Sequence, residues 1–334
     1  MIARTTPGAP VTHASDMDDR KRKSSHGSRA PSRHYRRLLQ RTRALEPLRA
    51  AIVHPVDAVT LRGAVAAAEA RLIVPVLVGP EARIRAAARE AAIDLGDYAC
   101  LWTEHSHAAA AAAATLAAER KVEALVKGSL HTDEFMGAIV AEPRLHTARR
   151  MSHVFVIDAP AYPRALLVSD AAVNIYPSLE DKADIVQNAI ELAHALGTRT
   201  PRVAILSAIE TVSPRIRSTL DAAVLCKMAE RGQITGGILD GPLAFDNAVS
   251  LEAARAKGIR SPVAGRADIF IVPDLEAGNM LAKQLEYLAG AQIAGIVLGA
   301  RVPIVLTSRA DKIVPRLASC ALALLLARHR SRTR

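Results

Sequence analysis

The chain has 334 residues, of which 50% are hydrophobic, so it is long enough to bury one large core or two smaller ones. Its net charge of +11 lies at the ends, since residues 1–50 hold 12 Lys and Arg against 4 Asp and Glu, and residues 328–334 hold 4 Arg. The body between them is electrically balanced, which argues against a fold built to bind nucleic acid.

The N-terminal segment has the composition of a disordered tail. Residues 1–34 are rich in Ser, Pro, Gly and Arg and offer no apolar run whose burial could offset the entropy of ordering. Regular hydrophobic patterning begins near residue 45. We therefore assign residues 1–44 to a disordered basic tail and residues 328–334 to a second basic tail.

Two features of the sequence predict the cellular compartment. Cys100, Cys226 and Cys320 lie far apart and show no paired spacing, which gives no disulfide framework or zinc motif and is usual in a reducing environment. The N-terminus is charged without an apolar signal segment, and no stretch reaches the roughly 18 apolar residues of a spanning helix. We expect a cytoplasmic protein with no membrane segment.

From residue 45 onward, short apolar runs alternate with longer helical segments. Near-continuous apolar runs are typical of strands buried in a parallel sheet, and their alternation with helices predicts an α/β fold with a parallel or mixed sheet. The predicted strands are Val74–Val78, Val122–Val126, Val154–Ile157, Ala165–Val168, Val203–Leu206, Ile269–Val272, Ile296–Leu298 and Ile304–Leu306.

The intervening helices carry ordinary start and stop signals. Ser178 with Asp181 three residues later predicts a capping box, and the apolar periodicity that follows ends at Gly197. Further helices are predicted over His107–Ala118, Leu220–Glu230 and Leu317–Ala327.

The first candidate site is the segment VLTSRAD, which follows a predicted strand. Ligands of open α/β sheets gather at the carboxyl ends of strands, and here Ser308, Arg309 and Asp311 come directly after one. Arginine presents a planar fork of donors that suits phosphate or carboxylate, and serine adds a hydroxyl. A helix cap beside a surface arginine would give the same pattern, so the residues alone leave both interpretations open.

A second candidate follows the strand that ends at Val126. Lys127, Gly128 and Ser129 form a plausible anion-binding turn, and His131 is placed for proton transfer. A lone histidine near a strand end also serves structural roles, so this interpretation stays open.

A third candidate follows the strand that ends at Val272. Asp274 ends the strand region, Gly278 and Asn279 lead into a helix, and Lys283 lies in its first turns. An ordinary strand-to-helix turn would show the same residue types.

Taken together, these segments resemble the phosphate acetyl/butyryl transferase family over residues 45–327. The blocks that carry the resemblance are SPVAGRADIFIVPDLEAGN, Ser261–Asn279, and LAGAQIAGIVLGARVPIVLTSRAD, Leu288–Asp311. The resemblance implies reversible transfer of an acetyl or butyryl group between coenzyme A (CoA) and phosphate, by direct attack of the CoA thiol on the acyl phosphate.

The resemblance also implies an architecture. The family has two α/β domains flanking a cleft, as in isocitrate and isopropylmalate dehydrogenases. Carried onto this chain, residues 45–150 plus 300–330 form the first domain and residues 151–299 the second. It further implies a homodimer, no metal, and no cofactor, with CoA as a substrate.

The family's Ser-Arg pair matches Ser308 and Arg309, where the arginine binds the phosphate of the acyl phosphate and the serine stabilises the reacting acyl group. The acetyl-specific branch has an Asp several residues later as its proposed base. The corresponding region here, Lys312–Leu317, has no carboxylate, and Asp311 is the nearest acid. An Arg that helps acetyl-type members hold CoA is also missing, so the base and the CoA contacts stay open. The residues assigned to substrate binding are Lys127, Gly128, Ser129, His131, Asp274, Gly278, Asn279 and Lys283.

Two other functions are compatible with parts of the sequence. A decarboxylating dehydrogenase of the same fold would need acidic metal ligands facing the cleft, and no convincing set is evident. A non-enzymatic protein that binds nucleic acid through its basic tails would show strongly salt-dependent binding. We expect CoA or acyl-CoA and acyl phosphate or phosphate as partners, and no nucleic acid.

Overall fold

The computed structural model describes residues 32–96, 98–307 and 313–333. Most of the predicted N-terminal tail, residues 1–31, lies outside these ranges. The strands are β1 (Leu48–Val53), β2 (Ile73–Gly79), β3 (Ala99–Trp102), β4 (Ala124–Lys127), β5 (Ser152–Asp158), β6 (Leu166–Ser169), β7 (Arg202–Leu206), β8 (Ile238–Leu243), β9 (Ile269–Ile271), β10 (Gln292–Leu298) and β11 (Ile304–Val305).

Eleven α-helices lie within the described residues, and a short 3-10 helix covers Pro143–Leu145. They are α1 (Arg33–Thr42), α2 (Ala58–Glu69), α3 (Glu81–Ala91), α4 (Ser106–Ala118), α5 (Thr132–Val140), α6 (Leu179–Ala195), α7 (Arg217–Glu230), α8 (Phe245–Val249), α9 (Leu251–Ala256), α10 (Leu275–Tyr287) and α11 (Ile313–Thr333).

The strands form one mixed sheet in the order β3-β2-β1-β4-β11-β10-β5-β6-β9-β7-β8. Strands β3, β2, β1, β4 and β11 are parallel, and so are β6, β9, β7 and β8. Between these groups, β10 is antiparallel to β11 and β5, and β5 is antiparallel to β6. The two parallel groups therefore run in opposite directions.

Because of this reversal, the strands of the two parallel groups end at opposite edges of the sheet, where an edge is a row of strand ends. We call the edge where β1, β4 and β5 end the first edge, which is also where β6 and β10 begin. The second edge is where β6, β9 and β10 end. Strands β1 to β4 and β11 are contiguous in the order, and strands β5 to β10 are contiguous beside them.

Alternating side chains of the strands reach the two faces of the sheet, where the cores lie. In β1, Leu48 and Ile52 belong to the core shared with α1, α2, α3, α6, α7 and α11, whereas Ala51 and Val53 belong to the core under α4 and α5. A third cluster lies under α8, α9 and α10 on that second face. Helices therefore cover both faces, which explains why the strands read as apolar runs.

All eight predicted strands are confirmed, as is the capping box, in which Ser178 and Asp181 exchange hydrogen bonds at the start of α6. Strands β1, β3 and β8 were not predicted. β1 contains two alanines and an arginine among its six residues, and β8 contains Gly241-Pro242, which is unusual inside a strand. β8 tolerates a proline because it lies at the end of the sheet order.

The prediction of disorder up to residue 44 is wrong for residues 33–42, which form α1. The Ser32 hydroxyl accepts a hydrogen bond from Tyr35 N at 3.1 Å, and Tyr35 is buried in the core. Leu38 and Leu39 pack against the same core, so the helix is amphipathic despite its many arginines. The apolar face of α1 is buried against the core, which the average composition of residues 1–44 does not indicate.

The C-terminal basic segment is also ordered through residue 333, as the last turns of α11. Arg328 Nη1 lies 2.6 Å from Glu123 Oε1, and Arg330 Nε lies 2.7 Å from Glu191 Oε1. These cations are therefore paired with carboxylates of the body. Within the described ranges, no helix combines the length and the apolar character needed to cross a bilayer.

Candidate functional site

The loop after β4 is held tightly against the end of β1. Gly128 N donates to Val53 O at 2.9 Å, and Ser129 N donates to His54 O at 2.9 Å. A Cβ on Gly128 would lie 2.3 Å from Val53 O, so only glycine lets these two backbone segments approach each other this closely. His54 has a left-handed φ of 58°, which turns the chain from β1 towards α2. The two loops thus form one unit at the first edge.

Asp57 connects this unit to α2. Its Oδ1 accepts from Thr60 N at 2.8 Å, which caps the helix, and its Oδ2 accepts from the Thr60 hydroxyl at 3.0 Å and from the Ser129 hydroxyl. Burial would raise the pKa of Asp57, but these hydrogen bonds and the nearby Arg316 guanidinium hold it below its ordinary value. The Ser129 hydroxyl is therefore oriented by a fixed carboxylate.

Lys127 stabilises the loop from within. Its side chain is 5% exposed, and its ammonium donates to Leu130 O at 3.0 Å. The backbone carbonyl of Lys127 accepts a hydrogen bond from Thr307 Oγ1 at 3.0 Å, which joins β4 to the end of β11.

Thr307 and Arg316 extend the cluster to α11. The Thr307 hydroxyl accepts from Arg316 Nη1 at 3.1 Å. Arg316 is 6% exposed and lies over Gly63 of α2, where a Cβ would be 2.7 Å from Arg316 Cδ. A glycine at position 63 thus leaves room for a buried cation beside Asp57. We call Asp57, Thr60, Ser129, Thr307 and Arg316 the first-edge cluster.

The predicted catalytic residues Ser308, Arg309 and Asp311 lie outside the described residues. Their segment follows Thr307 directly and precedes α11, so both of its flanks contribute members to the first-edge cluster. His131 is exposed at the N-cap position of α5, where its side chain makes no capping hydrogen bond.

The predicted residues after β9 form a second group. Asp274 Oδ1 accepts from Ala277 N at 2.9 Å and caps α10. A Cβ on Gly278 would lie 2.8 Å from Asp170 O, and Asn279 Nδ2 donates to Ala171 O at 3.2 Å. These contacts fix the β9 turn against the end of β6.

Lys283 and Asp170 lie next to this second group. Lys283 lies on the exposed side of α10, with its ammonium 3.0 Å from Glu286 Oε2. Burial raises the pKa of Asp170, although hydrogen bonds from Ala172 N, Val173 N and the Asn174 amide oppose the rise.

The sheet separates the two groups within one chain. β4 ends at the first edge and β9 at the second, and the strand order places them five steps apart, roughly 24 Å at about 4.8 Å per step. Lys127, Gly128 and Ser129 are thus brought together, and so are Asp274, Gly278 and Asn279. The polarity reversal at β10 causes the separation, because carboxyl ends share an edge only in parallel strands.

Sequence reasoning missed Asp57, Thr60 and Arg316. The spacing of Asp57 and Thr60 before an apolar helical segment is an ordinary N-cap signal. This N-cap signal did not lead to a site prediction, because β1, the strand before it, was not predicted. Arg316 gives no local signal, since its burial depends on the contact between α11 and α2.

Comparisons of the sequence with known proteins identify one family. Residues 102–324 match the sequence model described as "phosphate acetyl/butaryl transferase". The chain is 60% identical over 297 residues to a phosphate acetyltransferase of Rhizobium meliloti, covering 89% of this chain and 94% of that protein. It is 37% identical over 297 residues to a phosphate butyryltransferase of Clostridium beijerinckii, covering 89% and 98%.

Solved structures share the fold. A branched-chain phosphotransacylase from Enterococcus faecalis matches with a TM-score of 0.73 at 27% identity, covering 84% of this chain and 99% of that one. A phosphotransacetylase from Streptococcus pyogenes matches with a TM-score of 0.75 at 20% identity, covering 88% and 98%.

Proposed function

The chain belongs to the phosphate acetyl/butyryl transferase family, and from that premise we propose that it exchanges an acetyl group reversibly between phosphate and coenzyme A. The observation that carries the proposal is the 60% identity to a phosphate acetyltransferase over nearly the full length of both proteins. The more distant butyryltransferase relatives support a butyryl group as a second substrate.

The reaction joins a thiol and an acyl phosphate. The CoA sulfur attacks the acyl carbon, a C–S bond forms, and the C–O bond to phosphate breaks with its electron pair leaving on the phosphate oxygen. The thiol proton must go to a base or to the departing phosphate. Because a thiol with a pKa of about 8.5 is mostly protonated at neutral pH, a positioned base would accelerate the step roughly 10²–10⁴-fold.

We assign the catalytic work to the segment between β11 and α11. Arg309 would bind the phosphate as a bidentate donor, Ser308 would stabilise the oxyanion, and Asp311 is the nearest acid that could act as base. The first-edge cluster supports this assignment because Thr307 and Arg316 flank the segment and contact one another. Lys127, Gly128, Ser129 and His131 are proposed as the substrate-binding loop on the same edge.

The finer architecture is also a proposal. We infer two domains, residues 45–150 with 300–330 and residues 151–299, in an isocitrate/isopropylmalate dehydrogenase-like arrangement. The contiguous placement of β1 to β4 with β11, and of β5 to β10, supports this division. We further propose a cytoplasmic homodimer that uses CoA as substrate, needs no resident cofactor and binds no nucleic acid.

The decisive assay follows thioester formation from CoA with acetyl phosphate and, separately, with butyryl phosphate. We expect turnover with acetyl phosphate and a lower kcat/KM with butyryl phosphate. An Arg309→Ala variant should lose most of its turnover, whereas Arg301→Ala, an exposed arginine after β10, should keep it. Absence of thioester from both acyl phosphates would refute the function, and full activity of the Arg309 variant would refute the assigned phosphate contact.

A further inference from the structure

A groove between α3 and β3 forms a pocket of about 460 Å³ beside the last strand of the sheet order. Small-molecule sites in proteins have volumes of roughly 300–1,000 Å³, so the pocket is large enough for a ligand. Cys100 and Trp102 lie on the same face of β3, because alternate residues of a strand share a face. They line the pocket together with Tyr98, which precedes the strand, and with residues of α3.

This α3–β3 pocket is separate from the first-edge cluster. In the strand order β3 lies three steps from β4, roughly 14 Å at about 4.8 Å per step. The pocket shares no lining residue with the cluster, whose members are Asp57, Thr60, Ser129, Thr307 and Arg316. The proposed acyl transfer therefore does not account for the residue types of this pocket.

Trp102 gives the pocket an exposed aromatic surface. It is the only tryptophan of the chain, and it is 38% exposed. Arg85 Cζ lies 5.6 Å from the centre of the indole ring, a distance at which the cation is attracted to the π-electrons. Arg85 also pairs with Glu81 at 2.7 Å, so its charge is already balanced. An indole held in this way offers a flat surface on which a planar apolar ring would stack.

Two opposite charges of the pocket form no ion pair within the described residues. Arg89 lies one turn after Arg85 on α3, and its side chain makes no hydrogen bond to any described residue. Asp94 uses Oδ1 to accept from Gly96 N at 2.9 Å, which leaves Oδ2 for a ligand. A ligand with separate negative and positive groups would match both charges. A phosphate dianion would match Arg89 but would be repelled by Asp94.

We propose that the α3–β3 pocket binds a free aromatic α-amino acid. The ring stacks on Trp102, the carboxylate accepts hydrogen bonds from the Arg89 guanidinium, and the ammonium donates to Asp94 Oδ2. An aliphatic amino acid lacks the ring, and an aromatic acid or amine lacks one of the two charges. The inference does not depend on the proposed function, because it uses none of the residues assigned to acyl transfer.

Fluorescence titration of the full chain with L-phenylalanine tests the proposal. Trp102 is the only tryptophan, and phenylalanine does not absorb where tryptophan is excited, so the signal reports on this pocket. We expect a saturable change in emission. Three analogues each lack one feature: 3-phenylpropanoate has no ammonium, phenethylamine has no carboxylate, and L-leucine has no ring. Each should bind roughly tenfold more weakly than L-phenylalanine.

Two variants identify the charged partners, with Kd measured by calorimetry and folding checked by circular dichroism. Asp94→Asn should raise the Kd for L-phenylalanine and phenethylamine roughly tenfold without weakening 3-phenylpropanoate. Arg89→Gln should raise the Kd for L-phenylalanine and 3-phenylpropanoate roughly tenfold without weakening phenethylamine. Arg231→Gln is the matched control, an exposed arginine after α7, and should stay within about twofold of the wild type for every ligand.

Three outcomes would overturn the proposal. The first is that L-phenylalanine binds the wild type by neither method. The second is that Asp94→Asn, Arg89→Gln and Arg231→Gln share one Kd for L-phenylalanine. The third is that CoA or AMP displaces L-phenylalanine with a lower Kd, since the pocket would then be a nucleotide site. Because no acyl phosphate is present, these outcomes do not depend on whether the chain transfers acyl groups.

Discussion

His153 should make the folded protein sensitive to mild acid. The imidazole lies on β5, is 1% exposed, and packs edge-on against Phe155 at 4.3 Å between ring centroids. Its other side is closed by β10, where a Cβ on Gly295 would lie 2.6 Å from Nε2. Burial lowers the pKa of His153 to about 3, from an ordinary value of 6.5.

The magnitude follows from proton linkage. Because the folded pKa is below the unfolded one, the unfolded chain alone binds this proton between the two values, and stability present above pH 6.5 is lost as the pH falls towards 3. At pH 5.0, protonation of an imidazole of pKa 6.5 favours the unfolded chain by about 2 kcal/mol, whereas at pH 7.5 the effect is about 0.1 kcal/mol.

Urea unfolding of the wild type and His153→Leu at pH 7.5 and 5.0 measures the effect. The relevant quantity is the change in unfolding free energy between the two pH values within each protein, so a constant packing change in the variant cancels. We expect the wild type to lose about 2 kcal/mol more than the variant. His329→Gln, a partly exposed histidine near the end of α11, should behave like the wild type. Equal pH-dependent losses in wild type and His153→Leu would refute the reasoning.

Three further predictions concern the first edge. Gly128→Ala should destabilise the fold by roughly 2–3 kcal/mol and reduce turnover, because its Cβ would meet Val53 O at 2.3 Å; an unchanged Tm would contradict this. Asp57→Ala should cost about 1 kcal/mol of stability through the α2 cap and lower kcat about tenfold by releasing Ser129; a wild-type kcat would show that Asp57 plays no part in the site. Arg316→Met should lower kcat more than it changes the KM for acetyl phosphate; a pure KM effect would indicate direct substrate binding instead.

The sequence was sufficient for most of the sheet because buried strands leave a strong apolar signal. Val154–Ile157 and Ile269–Val272 were predicted within a residue or two of β5 and β9. β1 was missed because its burial arises from position rather than composition, between β2 and β4 in the centre of the parallel group. Strand propensity depends on such context, which a single sequence does not display.

Part of the candidate site was predictable because some of its residues directly follow a strand with a strong apolar signal. Lys127, Gly128 and Ser129 were identified because they follow a strand, and the structure shows how closely that loop must approach β1. Asp57 and Arg316 were not, since their proximity to Ser129 and Thr307 depends on long-range packing of α2 and α11. Local pattern thus identifies loops, whereas the partners that orient them come from the fold.

Packing contacts explain the residue types of the turn after β9. Asp274 caps α10, Gly278 leaves space for the Asp170 carbonyl, and Asn279 bonds the Ala171 carbonyl. Each residue type is therefore accounted for by a contact inside the same chain at the second edge. This edge is five strands from β4, so the turn and the Lys127 loop lie at opposite edges of the sheet. Substitution of Asn279 should consequently affect stability before it affects the KM for either substrate.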